Sequence, residues 1–429
     1  MKIAFYTLGC KVNQYETQYL CEQFIKRGHT VVSHSEIADA YIVNSCTVTS
    51  LSDSKSKKMV GHFRRQNEDA VIALIGCFPQ AFKEKAEAVK EADIVLGNAE
   101  KSRVIDLVER AFSDRQRNLA VKGFCAPAQI EKMSISRFEE RTRAFVKIQD
   151  GCDRFCSYCI IPTARGRICS KPLEEISKEV SVLCKNGHSE IVLVGIDLSS
   201  YGKQFGKTLV DAVEEVSKIE GVKRIRLGSL EPEIMTESEL KRLKKIEQFC
   251  PQFHLSLQSG CDKTLRDMNR HYNAKQYSDI VENIRSVFDN ASITTDVMVG
   301  FAGESDEDFL ASLEFVKKIG FLKVHVFPYS RRNGTRADKF PNQISGEIKK
   351  QRAKIMSIEV EKIRLEMLKE QIGNVVEILV ESKQKDGLCF GYTSQYIPVF
   401  FENLNAPIGS FCNVKITSAD EEGCLGVSI

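Results

Sequence analysis

AFVKIQDGCDRFCSYCIIPTARG, residues 144 to 166, runs from a short strand-like stretch directly into a loop holding Cys152, Cys156 and Cys159. A structural zinc ion takes four protein ligands, whereas three thiolates can hold three irons of a cubane cluster and leave the fourth iron open to a small molecule. The missing fourth cysteine is therefore the informative feature. Three inert cysteines, or zinc with a distant fourth ligand such as Cys169, are the competing readings. AFVKIQ reads as a strand, and Cys152 stands just past its carboxyl end, where barrels of alternating strands and helices carry their chemistry.

Five more strand-like runs follow: EIVLVGI, KRIRLGSL, HLSLQ, ITTDVMVG and KVHVFPY, each separated from the next by room for a helix. Six such units predict a partial (β/α)6 barrel. KPLEEISKEVSVLCKNG has Pro172 at its start and Gly187 at its end, the usual punctuation of a helix. A long charged helix, roughly 345 to 370, leads to Gly373.

Upstream, KIAFYTL, AYIVNS, VIALIG and DIVLG alternate with helical patterns, which predicts an α/β domain on a doubly wound parallel sheet. VKGFCAPAQIEKMSISRFEERTR has no sustained apolar period and reads as a linker. The last 59 residues change character: VVEILVE, CFGYTSQYIPVFF, SFCNVKIT and CLGVSI read as strands of a small β-barrel. The expected division is 1–122, 123–142, 143–370 and 371–429, without internal repeats.

A chain of 429 residues, 42% of them hydrophobic, supports two or three domains. It opens without a leader pattern, and its apolar runs fall short of a membrane span, so a soluble cytoplasmic protein with no membrane partner is expected. Fifteen cysteines in a reducing compartment read as metal ligands where they cluster and as small core residues where they scatter. The net charge of +3 is too small to advertise nucleic-acid binding without local clustering.

A second set of three is spread through the N-terminal half. Cys10, Cys46 and Cys77 each lie just beyond a strand of the parallel sheet, and such strand ends converge on one crevice. One cluster held by all three and three buried core cysteines are both open at this point.

The words TLGCKVNQYET, NSCTVTSLSDSKSKK, IGCFPQ, DGCDRFCSYCIIPTARGR, VGIDLSSYG, LGSLEP, HLSLQSGCDKTLRDMNR, DVMVGFAGES and FPYSRRNGTRAD resemble the methylthiotransferase family of radical S-adenosylmethionine (SAM) enzymes along essentially the whole chain. GCKVNQYET is similar to the branch acting on N6-threonylcarbamoyladenosine (t6A) in tRNA; the isopentenyladenosine branch tends to show GCQMN and the ribosomal-protein branch GCPKN. The resemblance implies two 4Fe-4S clusters, an auxiliary one on Cys10, Cys46 and Cys77 and a radical-generating one on Cys152, Cys156 and Cys159, facing one cavity between domains. It implies an enzyme that adds a methylthio group to C2 of t6A next to the anticodon, with SAM as both methyl donor and radical source. It further implies an electron donor such as flavodoxin or ferredoxin, a sulfur donor, and a C-terminal TRAM domain, an OB-like barrel that contacts RNA. Methylthiolation of isopentenyladenosine or of a ribosomal-protein aspartate is the alternative reaction, and a zinc-containing RNA-binding protein the non-enzymatic alternative.

Within that frame Tyr158 is placed on the SAM adenine, and Gly195, Ser229, Glu231, Gln258 and Asp296, at or near successive strand ends, are placed around the cofactor. Arg331, Arg332 and Arg336 are candidates for the threonyl carboxylate, since a guanidinium binds a carboxylate bidentately. Three positions depart from the family pattern: Asp197 stands where His or Asn is usual, Ser199 where Gly is common, and Ala302 where Pro is usual. Residues 371–429 hold three lysines (383, 385 and 415) against seven acidic residues, a balance of −4 that leaves +7 on residues 1–370. Phosphate contacts are thus expected from Lys55, Lys57, Lys58, Arg64 and Arg65 or the linker arginines, with Phe390, Tyr392, Tyr396 and Phe400 as base-stacking candidates. The other nine cysteines, and histidines such as His254 and His325, read as structural.

Overall fold

The computed structural model describes residues 1–138, 141–384, 387–402 and 406–429; part of the linker, and Lys385 and Asp386 of the C-terminal charge count, lie outside the described residues. Six parallel strands open the chain: β1 (Lys2–Thr7), β2 (Thr30–Val32), β3 (Ala40–Ser45), β4 (Val71–Gly76), β5 (Ile94–Leu96) and β6 (Asn118–Leu119). Their order is 2-1-3-4-5-6. One face packs Ile3, Ile42 and Ile75 against Leu20, Phe24 and Val104. The other packs Tyr41, Val43 and Leu74 against Val60 and Phe63. Burial on both faces is why AYIVNS and VIALIG are unbroken apolar runs. The strand order reverses between β1 and β3, the switch point at which a crevice opens beyond the strand ends.

The expected barrel follows. Its strands are β7 (Arg143–Lys147), β10 (Glu190–Val194), β11 (Arg224–Leu227), β12 (Ser229–Leu230), β13 (Gln252–Leu255), β14 (Ser292–Val299) and β15 (Lys323–Pro328), while β8 (Gln149–Asp150) and β9 (Cys169–Ser170) form a small antiparallel pair around the cysteine loop. Parallel pairing runs 7-10-11 and then 12-13-14-15, so KRIRLGSL is one strand path broken at Gly228. Reciprocal caps start four of the barrel helices, Thr208 with Asp211, Thr236 with Glu239, Asn273 with Gln276 and Ser305 with Asp308, which is the local chemistry behind the alternation.

An open barrel has two edge strands that need cover. Helix Lys11–Lys26 of the N-terminal sheet domain lies on β7, with Val12 and Tyr15 in the barrel's own core, and helix Gly346–Lys369 lies on β15. The stretch read as a linker is a packed strap: Met133, Ile135 and Phe138 are buried in that same core.

The chain ends in a closed five-stranded barrel of β16 (Val375–Lys383), β17 (Leu388–Tyr392), β18 (Pro398–Glu402), β19 (Phe411–Ala419) and β20 (Cys424–Ser428). CFGYTSQYIPVFF is two strands, not one, because Thr393–Ile397 folds back with Tyr396 at φ 67°. That turn plugs the floor of the central barrel, at the amino ends of β7, β10 and β11. Arg226 holds Glu190 at 2.6 Å and donates to the Thr393 and Ser394 carbonyls, while Arg143 pairs with Glu381 at 2.8 Å and Arg224 with Glu377 at 2.9 Å. No helix among the described residues is long and apolar enough to cross a membrane.

At the opposite end one buried carboxylate joins the first two domains. Glu16, 2% exposed, binds Lys101 of its own domain, Lys147 of β7 at 2.8 Å and Arg165 at 2.5 Å. Burial alone would raise its pKa, but Arg165, Lys101 and Lys147 together hold it well below the usual carboxylate range. Glu16→Gln is expected to cost about 3–5 kcal/mol at neutral pH, the range for stranding buried charge, read as a lower urea midpoint. Because the folded carboxyl titrates below its unfolded value, this contribution is present above about pH 4 and is lost as pH falls through the folded value. The gap between parent and variant should therefore narrow in acid; a gap that widens there contradicts the assignment.

Candidate functional site

Cys10, Cys46 and Cys77 stand beyond three adjacent strands at the switch point. Cys10 precedes helix Lys11–Lys26, Cys46 follows β3, and Cys77 opens the short helix Cys77–Ala81 after β4. Gly9 turns the chain at φ 107°, and a Cβ there would meet the Cys46 Cβ at 2.9 Å, so the two loops touch. The Cys46 thiol lies in the electrostatic field of Cys10 and Cys77, and Cys10 in that of Cys77. The Val48 amide donates to the Cys46 sulfur at 3.5 Å and the Asn98 side-chain amide to the Cys77 sulfur at 3.4 Å. Arg165 faces both Cys10 and Cys77. Cys46 and Cys77 are buried, and Cys10 is exposed and is not a core residue.

The second set sits on a loop under local strain. Gly151, at φ 73°, leaves no room for a Cβ beside the Arg167 carbonyl, and Phe155 takes a left-handed φ of 50° that lets the chain wrap between Cys152 and Cys156. Asn269 donates to the Arg154 and Phe155 carbonyls, and Ser157 bonds the Asp267 and Met268 carbonyls. Arg270, ion-paired with Glu231, donates to the Cys156 sulfur at 3.4 Å. Burial pushes the Cys46 thiol up to about 11 and the Cys152 and Cys159 thiols up to about 12, so iron must displace their protons on binding. Cys169 turns to the Asp150 carbonyl at 3.7 Å and does not join the set as a fourth ligand. Among the described residues no three side chains of His, Cys, Asp or Glu close on a single ion; three irons of a cubane need one thiolate each.

The six residues placed around SAM lie at or beside the carboxyl ends of the barrel strands. Tyr158 packs edge-on to Phe301 at 6.3 Å, on an apolar wall with Met268 and Tyr329. Gly195 has a packing reason of its own, since a Cβ would lie 2.7 Å from the Gln149 side-chain oxygen, which accepts from the Ile196 and Asp197 amides. Ser229 is exposed and in register with His254. The Glu231 amide donates to Ser199 at 2.7 Å; burial raises its carboxyl pKa against Arg270 and Arg154. Gln258, at φ 65°, hooks onto β14 through the Asp296 carbonyl and the Met298 amide, and Asp296 stands 3.4 Å from His254. His325 is not a core residue: it is exposed on β15.

Arg154, Arg270, Arg165, Asn98 and Gln149 escaped sequence reasoning, although Arg154 and Arg165 stand inside the cysteine word itself. Arg154 pairs with Asp197 at 3.3 Å and Arg167 with Asp153 at 3.2 Å, and Asp197 keeps one buried oxygen without a partner among the described residues. That one acceptor, on the carboxylate that faces Cys152, fits a ligand that carries an ammonium or ribose hydroxyls, as SAM does. Asn98 and Gln14 keep buried, unpartnered oxygens in the N-terminal domain.

Several RNA and substrate expectations need correction. Arg332 is buried, bound to Asp53 at 2.8 Å and Thr47 at 2.7 Å, and braces the barrel against the N-terminal domain instead of waiting for a carboxylate. Arg331 pairs with Asp338 at 2.6 Å, and Arg336 is exposed with no ion pair among the described residues. Arg64 is held by Asp93 at 2.6 Å, whereas Lys55, Lys57, Lys58 and Arg65 are exposed. Tyr392 and Tyr396 stack on each other at 4.3 Å under Arg143, so they are not free for bases; Phe390 and Phe400 remain half-buried on the outer barrel face.

Comparison with known proteins agrees with this layout. Residues 146–316 match the radical SAM superfamily, residues 2–97 the uncharacterized protein family UPF0004, and residues 369–422 the TRAM domain. The chain is 37% identical to the threonylcarbamoyladenosine tRNA methylthiotransferase MtaB of Thermotoga maritima, over 98% of this chain and 95% of that one. It is 31% identical to a tRNA-2-methylthio-N(6)-dimethylallyladenosine synthase of Pelotomaculum thermopropionicum, over 97% and 95%. Among solved structures, the radical SAM methyltransferase TsrM of Kitasatospora setae shares the fold, with a TM-score of 0.56 and 12% identity over 91% of this chain and 80% of that one. With both cysteine sets in place on this fold, the chain belongs to the radical SAM methylthiotransferase family, whose members work with two 4Fe-4S clusters and SAM.

Proposed function

We propose that this enzyme adds a methylthio group to C2 of t6A beside the anticodon of tRNA, in the cytoplasm, with reducing equivalents from a flavodoxin or ferredoxin and sulfur from a separate donor. The observation that carries it is the meeting of two three-cysteine sets across one buried ion cluster, on a chain 37% identical to an MtaB over nearly its full length. When bound, the clusters and SAM supply the radical that activates the adenine carbon, the sulfur that joins it and the methyl group that sulfur carries.

The chain's own residues prepare the site. Cys152, Cys156 and Cys159 hold one cluster, and Cys10, Cys46 and Cys77 the other. Arg270 and the Asn98 amide each place a donor on a ligand sulfur, which favours the thiolate form. Asp197, fixed by Arg154 and Ser200, offers its unpartnered oxygen to the cofactor, and Gly195, Ser229, Glu231, Gln258 and Asp296 frame the same opening. The Glu16 ion cluster holds the two sets in one orientation, the positioning that a reaction between two bound partners requires. Exposed Lys55, Lys57 and Lys58 line helix Ser50–Gln66, whose first residue meets Ser330 of the barrel, and give tRNA phosphates a landing site at that rim.

Anaerobically reconstituted protein is expected to hold about eight irons. Changing Cys152, Cys156 and Cys159 to Ala should halve this and abolish SAM cleavage; changing Cys10, Cys46 and Cys77 should halve it and leave reductive SAM cleavage intact. Full iron content in the second triple variant would remove the auxiliary assignment. Changing Lys55, Lys57 and Lys58 together to Ala should weaken tRNA binding across sequences and shrink the salt slope by about 2 to 3, measured as affinity against salt concentration; an unchanged slope places the phosphates elsewhere. Nucleoside mass spectrometry after turnover decides the target: product from isopentenyladenosine tRNA and none from t6A tRNA rejects the reading.

A further inference from the structure

Lys11 follows Cys10 directly and occupies a position unlike that of its neighbours. The other cations near the cysteines hold carboxylates: Lys101, Lys147 and Arg165 share Glu16, Arg270 holds Glu231, and Arg332 holds Asp53. Lys11 has no hydrogen bond or ion pair with any described residue. Its ammonium stands 5.9 Å over the Phe145 ring on β7, and it lies in the electrostatic field of His325 on β15. It therefore reaches across the opening between the barrel's first and last strands, and it is exposed there.

The charge around it is unbalanced. Arg143, Arg226 and Arg141 all add positive potential at Lys11: the first two are paired with Glu381 and Glu190 on the barrel floor, and Arg141 stacks on the same Phe145 ring at 5.3 Å. Asp296 is the acid on the neighbouring wall, and it faces His254 and His325. An accessible ammonium left over in a cavity of matched pairs favours an incoming anion.

The chemistry of the target gives that anion an identity. In adenine, C2 and C6 flank the same ring nitrogen, so a base whose C2 is held at the auxiliary set must place its N6 substituent close by. The threonylcarbamoyl group carries a carboxylate, and the isopentenyl group carries no charge. We infer that Lys11 pairs with the threonyl carboxylate and is the residue that selects t6A. The inference rests on the proposed function and sets Lys11 in the place of Arg331 and Arg332, whose charges are matched by Asp338 and Asp53.

The test is binding, with no turnover required. Fluorescence anisotropy on the reconstituted full chain, without SAM or reductant, compares synthetic anticodon stem-loops bearing t6A, the threonine amide of t6A, and isopentenyladenosine. The parent should prefer the acid to the amide by roughly tenfold to a hundredfold, the scale of one hydrogen bond between charged partners. Lys11→Gln should bring that ratio close to one, while Lys11→Arg, which keeps the charge, should retain most of it; iron content checks that both variants are folded. Equal binding of acid and amide by the parent overturns the inference, as does an undiminished preference in Lys11→Gln or loss of preference in both variants alike. A parent that prefers the isopentenyl stem-loop rejects t6A as the target, a failure distinguishable from a wrong reader.

Discussion

The shared carboxylate of Glu16 sets the geometry on which the two cysteine sets depend. It comes from the helix that begins at Cys10, and its partners come from the same domain, from β7 and from the helix that closes the cysteine loop. Each end of that network is a few residues from a ligand: Glu16 from Cys10, Lys147 from Cys152, Arg165 from Cys159. With Asp150 included, three cations meet two anions, and the surplus positive charge faces Cys10 and Cys77. Buried ion clusters of this kind contribute little net stability against an apolar replacement, but they penalise any arrangement that separates the partners. Two domains that must keep two bound groups in register gain more from that penalty than from extra apolar area.

Much of the fold was legible because its signals are local. Six apolar runs with helical spacers, and the buried β3 and β4, report their own secondary structure through residue type alone. The reading failed where tertiary contact overrides composition. The stretch before β7 lacks a period because it is neither helix nor strand, yet Met133, Ile135 and Phe138 bury themselves in the barrel core. CFGYTSQYIPVFF has the composition of one strand, and only the fit of its turn against Arg226 and Arg143 breaks it in two.

The two cysteine sets were legible in the sequence, the pairing of the charges around them poorly so. Cysteine spacing is written in the chain, and so is the strand that precedes each set. Pairing is not: nothing in FPYSRRNGTRAD announces that Arg332 will be consumed by Asp53, 279 positions away, or that Arg331 turns to Asp338. A guanidinium at a strand end reads as a ligand group until its carboxylate is found, and the same blindness hid the ammonium of Lys11, unpaired among the described residues.

The barrel divides its labour between its two ends. At the amino ends of β7, β10 and β11, Arg143, Arg224 and Arg226 meet Glu381, Glu377 and Glu190, so the charges cancel and the TRAM barrel is held as a floor. At the carboxyl ends the charges do not cancel: Lys11 stands unpaired among the described residues, and Asp197 keeps an unmet acceptor. Matched charge stabilises an interface and has nothing left to offer a ligand, whereas unmatched charge costs stability and attracts one. The acidic TRAM barrel sits under the floor with two of its tyrosines stacked there, while the exposed lysines of helix Ser50–Gln66 stand beside the loop after β15 at the other end.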